Sequence, residues 1–227
     1  MLRSILSKLK LKIVSKIKWR NRIKISSYIY YNYLCKRIIR MNGHKIIPYK
    51  HTHISIAPSA KIYLDGDMIL NINRQKGSRQ ECLILLRDNA ELYVNGLAEL
   101  YYGTTLQVHN NAKLIMGEVH MNTGTTVVCG YKINIGNRVS TARGVFIYDS
   151  DHHPIYNADG KCINEPKEVI ISDHVWIGLK STVLKGTTID PNAIISANSL
   201  VSGHVYGNAI TASPPARPVM KDVYWER

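Results

Sequence analysis

The sequence predicts a mainly β fold: a parallel β-helix solenoid with three-sided turns, carrying an N-terminal basic helical extension. Three observations predict it. Aliphatic residues recur every six positions, a polar stretch interrupts that repeat, and the positive charge is confined to one end. The expected organisation is an extension over residues 1–50, a solenoid domain over 51–210 with a loop at 148–168, and a tail over 211–227.

The extension is set apart by charge. The chain has 227 residues, 30 Lys and Arg, 16 Asp and Glu, and a formal net charge of +14. Residues 1–64 hold 15 of the cations and no carboxylate, so the remaining 15 nearly balance the 16 acids of 65–227. A basic segment attached to a near-neutral body argues against a nucleic-acid-binding protein. Leu2, Leu6, Leu9, Ile13 and Ile17 step by three or four, and Lys8, Lys12 and Lys16 occupy another face. That spacing predicts an amphipathic helix over 2–25. Such a helix lies on an anionic membrane surface, or packs on the body of its own oligomer. A second helix is expected within 26–50, before the turn residues Asn42-Gly43 and Pro48.

The solenoid is set by period. Ile171, Ile177, Val183, Ile189, Ile195 and Val201 lie six apart, with Val175, Ser181, Thr187, Ala193, Ser199 and Val205 four places after each. Six matches neither the 3.6 of a helix nor the 2 of a lone strand. It matches a chain that turns a corner every six residues, so that about 18 residues close one triangular coil stacked at about 4.8 Å. The aliphatic residue fills the interior, and small residues fit the tight corners. Weaker series run through Met121, Val127, Ile133, Val139 and Val145, and through Val94, Leu100, Leu106 and Ala112. The two are out of phase, which predicts a bulge or loop near 113–117. Ile56 and Ile62 suggest a first coil, and the polar run 71–81 suggests a loop.

Continuing the interior series past Ile147 would bury His153, Asp159 and Glu165, and unpaired charges do not fill apolar cores. Residues 148–168 are therefore expected to leave the coil, and loops on rigid scaffolds commonly carry function. This loop holds Asp149, Asp151, His152, His153 and Pro154. After it comes Asp173-His174-Val175-Trp176-Ile177-Gly178, in which alternation turns Trp176 outward.

The repeat, the Asp151-to-Tyr156 string DHHPIY and the Val175-to-Gly178 string VWIG resemble the hexapeptide-repeat sugar O-acetyltransferases, most nearly those acting on capsular or other surface polysaccharides. The resemblance covers about 54–220. It implies a left-handed coil, a homotrimer, and acetyl-CoA as co-substrate held between neighbouring subunits. It implies His153 as general base, with His152 its rival, and Trp176 lining the cleft. It also makes Gly178, Lys180, Ser196, Ala197 and Arg217 candidates to contact the donor. Arg217 closes the segment Ala212-Ser213-Pro214-Pro215-Ala216-Arg217, which departs from the family's usual turn at Ser213-Pro214. Asp151 or Asp149 would orient the imidazole. A neutral imidazole suits this work, because a sugar hydroxyl is a poor nucleophile until its proton is taken as it attacks.

Other readings use the same residues. A β-helix zinc enzyme needs three His around one metal, and adjacent His152 and His153 suit that poorly, so no metal is expected. A non-catalytic scaffold, or an N-acetyltransferase acting on a nucleotide-linked amino sugar, keeps the fold. His174 and Lys180 suit solvated surface positions, and His51, His53, His109, His120 and His204 suit surface or packing positions. Cys35, Cys82, Cys129 and Cys162 fit no short zinc motif and suit free thiols in a reducing compartment. No apolar run approaches the ~18 residues of a membrane span. Nor does the N-terminus match a secretory signal. A cytoplasmic location, with peripheral contact at the membrane through residues 1–25, is the expectation.

Overall fold

A computed structural model describes residues 23–212 and 217–226. The chain winds into a left-handed parallel β-helix. Each strand pairs in parallel with the one three places on, so the coil has three faces. Face one has eight strands, from Ile38–Arg40 up to His204–Val205; face two has nine, beginning at Ile46–Pro48; face three has seven, from Thr52–Ile56 to Leu200–Val201. Side chains alternate in and out along each strand. Inward residues stack in columns, such as Ile62, Leu92, Leu114, Ile133 and Val169, which pair in register and are fully buried. The six-residue repeat is the chain visiting three such columns in turn, as Ile171, Ile177 and Val183 do on faces one, two and three.

Several boundaries differ from expectation. The solenoid begins at Ile38, inside the segment expected to be a helical extension. Ile38 and Ile46 are buried and pair with Ile62 and Met68, so their apolar faces complete a first coil after a second helix shorter than expected. Helix is confined here to Ile25–Ile29 and a wider turn over Tyr30–Leu34. Residues 1–22, which carry nearly all of the expected first helix, lie outside the described residues, and Ile23 forms a lone bridge to Tyr49.

The phase change has a different cause from the one expected. Residues 113–116 form the regular strand Lys113–Met116. The corner before it, 109–112, has four residues, whereas the corner one coil later is the pair Gly130-Tyr131. Unequal corners shift the phase without a bulge. Residues 73–81 do form a loop.

The tail is part of the sheet. Ala209–Ala212 extends face two, and Arg217–Lys221 pairs with it antiparallel. Trp225 then folds back, donating its indole N–H to the carbonyl of His174 at 3.0 Å and stacking on that ring at 4.5 Å. Among the described residues no helix is long and apolar enough to cross a membrane.

Candidate active site

The interruption falls where the composition placed it, one residue late. Phe146–Tyr148 is still a strand of face three, and face one resumes at Val169–Ile171. Ile133 pairs with Val169, 36 positions on, whereas neighbouring coils advance from Leu114 to Ile133 and from Ile171 to Ile189. One coil's worth of chain therefore projects from the edge between faces three and one.

Asp149 stays inside, fully buried. Its carboxylate accepts the backbone N–H of Gly130 at 2.6 Å and of Tyr131 at 2.9 Å. The Cys129 thiol donates to it at 3.5 Å, and burial, with this carboxylate beside it, pushes that thiol's pKa up. A buried carboxylate is tolerable because backbone donors meet it. Asp149 thus braces a corner of the coil and does not hold an imidazole.

The projecting segment is a small hairpin. The Lys167 N–H donates to the Asp149 carbonyl at its base, and Ile163 donates to the Ile155 carbonyl further out. Asn164 is its clamp. Its amide donates to the His153 carbonyl at 2.8 Å and to the Asp151 carboxylate at 2.9 Å, and its oxygen accepts the Ile155 N–H at 2.6 Å. Lys185, from a corner on the same edge, donates to Asp151 and to the Asn164 carbonyl. The Lys185 ammonium, then the Asn164 amide, hold the Asp151 carboxyl below its usual range. Asp151 was expected to orient an imidazole; its bonds tether the loop instead. His153 is exposed, with its backbone fixed and its ring at the surface. His152 has a positive φ of 60°, and its ring lies 4.8 Å from His109 and 6.3 Å from Tyr148. His109 is thus a packing partner of the loop; burial, then the His152 ring, lower its pKa.

Trp176 lies on face two between fully buried Val175 and Ile177 and is 42% exposed, as alternation predicts. Gly178, Ser196 and Ala197 come together on the edge between faces two and three. A Cβ on Gly178 would stand 2.6 Å from the Ile195 carbonyl oxygen and 2.7 Å from the Ala197 nitrogen. Only glycine allows this approach between coils. Lys180, at a φ of 55°, shares the edge, and its N–H donates to the Arg143 carbonyl. Arg217 is exposed on the added outer strand, and 213–216 lie outside the described residues. The loop edge is the one opposite face two, so one chain does not bring His153 beside Trp176.

No protein-family model matches the chain. Over 138 residues it is 27% identical to a polysialic acid O-acetyltransferase of Escherichia coli O1:K1 / APEC, covering 54% of this chain and 45% of that protein. Over 87 residues it is 39% identical to a polysialic acid O-acetyltransferase of Neisseria meningitidis, covering 37% and 40%. A galactoside O-acetyltransferase of Escherichia coli K12 is 28% identical over 120 residues, covering 52% and 55%. The crystal structure of the polySia-specific acetyltransferase NeuO matches with a TM-score of 0.59 over 84% of this chain and 88% of that one, at 21% identity, a likeness of fold. The chain is thus similar in sequence to sugar O-acetyltransferases over about half its length, and in fold to one of them.

This hexapeptide-repeat chain spans about half the length of the curated relatives it matches. Asn164 and Lys185 escaped the reading of its sequence. Nothing local marks an Asn in a polar loop or a Lys at a corner. The one usable signal was that Lys185 occupies a corner one coil after the interruption, on the same edge.

Proposed function

We propose that this protein is an acetyl-CoA-dependent O-acetyltransferase acting on a sugar hydroxyl of a surface polysaccharide or its lipid-linked precursor. The observation that carries the reading is the clamped hairpin, which holds His153 out from a rigid coil where the strict C-terminal repeat is broken. The similarity to O-acetyltransferases of three sources and two glycan classes supports the same chemistry.

In this reading the His153 imidazole takes the proton of the acceptor hydroxyl as its oxygen attacks the thioester carbonyl. The carbon–sulfur bond then breaks, and the imidazolium returns the proton to the leaving thiolate. The oxyanion formed on the way takes a hydrogen bond from a backbone N–H near Gly178. Transfer is direct and uses no Cys or Ser nucleophile. Trp176 lines the cleft, Gly178, Ser196 and Ala197 present backbone to the donor, and Lys180 and Arg217 meet its phosphates. The corner of Gly178, Ser196 and Ala197 suits this, because Gly178 lets backbone meet backbone there beside an outward aromatic. Because the His153 and Trp176 positions lie apart on one chain, a second copy completes the site, and a homotrimer is the arrangement we propose. The enzyme works in the cytoplasm, with residues 1–25 as its contact to the inner membrane face.

The test is thiol release from acetyl-CoA, measured with and without candidate glycans. Release should require a glycan and fall by about 10²–10⁴-fold in His153→Ala. Loss of activity in His152→Ala with His153→Ala intact would move the base to His152. Release independent of any sugar acceptor would overturn the reading.

A further inference from the structure

At the N-terminal end of the coil, on the edge between faces two and three, lies a cavity of about 240 Å³ lined by Tyr49, Lys50, Asn71, Asn73, Arg74 and Lys76. It is far larger than one water's share of about 30 Å³. Asn71 is the unusual member. Its backbone has a φ of 66°, and the register between strands Met68–Ile72 and Ala98–Tyr101 slips at this residue. The side chain is 1% exposed. Its amide nitrogen donates to the Lys50 carbonyl at 2.5 Å, which fixes the amide's orientation, and its Oδ1 has no hydrogen-bond partner among the described residues. A buried acceptor left without a donor costs stability, so its retention calls for a partner that arrives from outside.

The surroundings are cationic. Lys50, Arg74 and Lys76 line the cavity, and Arg79 and Lys24 are close enough, with Arg74 and His53, to oppose protonation of the neighbouring His51 after burial has done so. The carboxylate in this stretch, Glu81, is paired with His53 at 3.3 Å. Arg74 is braced by the Ser78 carbonyl, which holds the loop over the cavity.

We propose that this cavity binds an acidic saccharide unit, a ring carrying a carboxylate or phosphate beside a free hydroxyl. The anion meets the lysines and Arg74, and the hydroxyl donates to Asn71 Oδ1. A bare anion would set oxygen against that oxygen, and a neutral sugar would leave the cations unmatched. The combination selects a ring bearing both groups. The cavity lies on the same edge as Gly178 and Lys180, four strand spacings below Trp176 on face two, about 19 Å at the usual sheet spacing. It would therefore grip a charged glycan at a point separate from the reacting hydroxyl. The proposal concerns binding alone and stands whether or not the chain transfers an acetyl group.

The test is calorimetric titration of the full chain with a galacturonic acid hexasaccharide, a neutral galactose hexasaccharide, inorganic phosphate, and vesicles of phosphatidylglycerol. The charged hexasaccharide should bind, more weakly as salt rises. Lys50→Gln with Lys76→Gln should weaken it by about tenfold or more. Asn71→Gly, which tolerates the positive φ, should weaken it by about fivefold. The lysine pair is exposed, so that variant reads the site even if Asn71→Gly folds poorly. His153→Ala should bind like the unaltered chain. Equal binding by the lysine variant, phosphate binding as tightly as the charged sugar, or binding to the vesicles alone would overturn the proposal.

Discussion

Asp149 and His153 are four residues apart, and the fold gives them opposite tasks. Asp149 comes two residues after Ile147, at the inward position just past its strand, where the preceding coils have Ile56, Leu86, Val108 and Cys129. The corner Gly130-Tyr131 beneath it presents two N–H groups, and the carboxylate takes both. From sequence this residue looked like the start of a polar loop, because composition cannot tell a solvated carboxylate from one buried against backbone donors. Asp149→Ala removes two charge-assisted hydrogen bonds and leaves both donors buried. That should cost about 3 kcal/mol, lowering Tm by about 6–12 °C in a domain of this size. A thermal melt followed by circular dichroism within about 1 °C of the unaltered chain would show that the brace is unnecessary.

The loop is the element whose behaviour separates from the rest. Its base is a backbone hydrogen bond, and its body is tied by Asp151 to Lys185 and by Asn164 to both strands of the hairpin. The Lys185 ammonium and the Asn164 amide depress the Asp151 pKa. A depressed carboxyl contributes its tether above the unfolded value, near 3.9, and loses it as pH falls through the folded value. On acidification the hairpin amides should therefore lose protection relative to their own intrinsic exchange rates, which fall with pH, while those of the coil keep theirs. Lys185→Met should produce the same opening at neutral pH, with acetyl transfer lowered and the coil's stability changed by less than about 1 kcal/mol, since the pair is partly exposed and ties the loop, not the coil's interior. Hydrogen-exchange mass spectrometry reads both effects; uniform exchange across loop and coil would show that the tether does not order the hairpin. This element was legible from sequence because charge cannot occupy the interior column. Its tether was not, since Asp151 and Lys185 lie 34 positions apart and meet only because the coils stack. The first coil was missed for a related reason. Ile38 and Ile46 are eight apart, off the period, and they become interior only when the coil above supplies Ile62 and Met68.

For the whole molecule, the geometry of the prism decides where a complete site lies. The hairpin leaves the edge between faces three and one, and Trp176 stands on face two. A triangular cross-section keeps an edge and its opposite face apart on every coil. The repeat made the prism readable from the chain, but no repeat states which residues of one copy meet those of another. If the site joins His153 of one subunit to Trp176 of the next in a closed ring, two inactive variants should rescue each other. In trimers assembled at random from equal amounts of His153→Ala and Trp176→Ala chains, each junction pairs an intact His153 with an intact Trp176 with a chance of about one in four, given cyclic symmetry. Co-expression should therefore restore on the order of a quarter of the unaltered activity, while mixing the pre-assembled proteins restores little. If a single chain carried the whole site, every copy in the mixed oligomer would lack one residue and no activity would return. Rescue thus measures, in one assay, both the oligomer and the division of the site between its subunits.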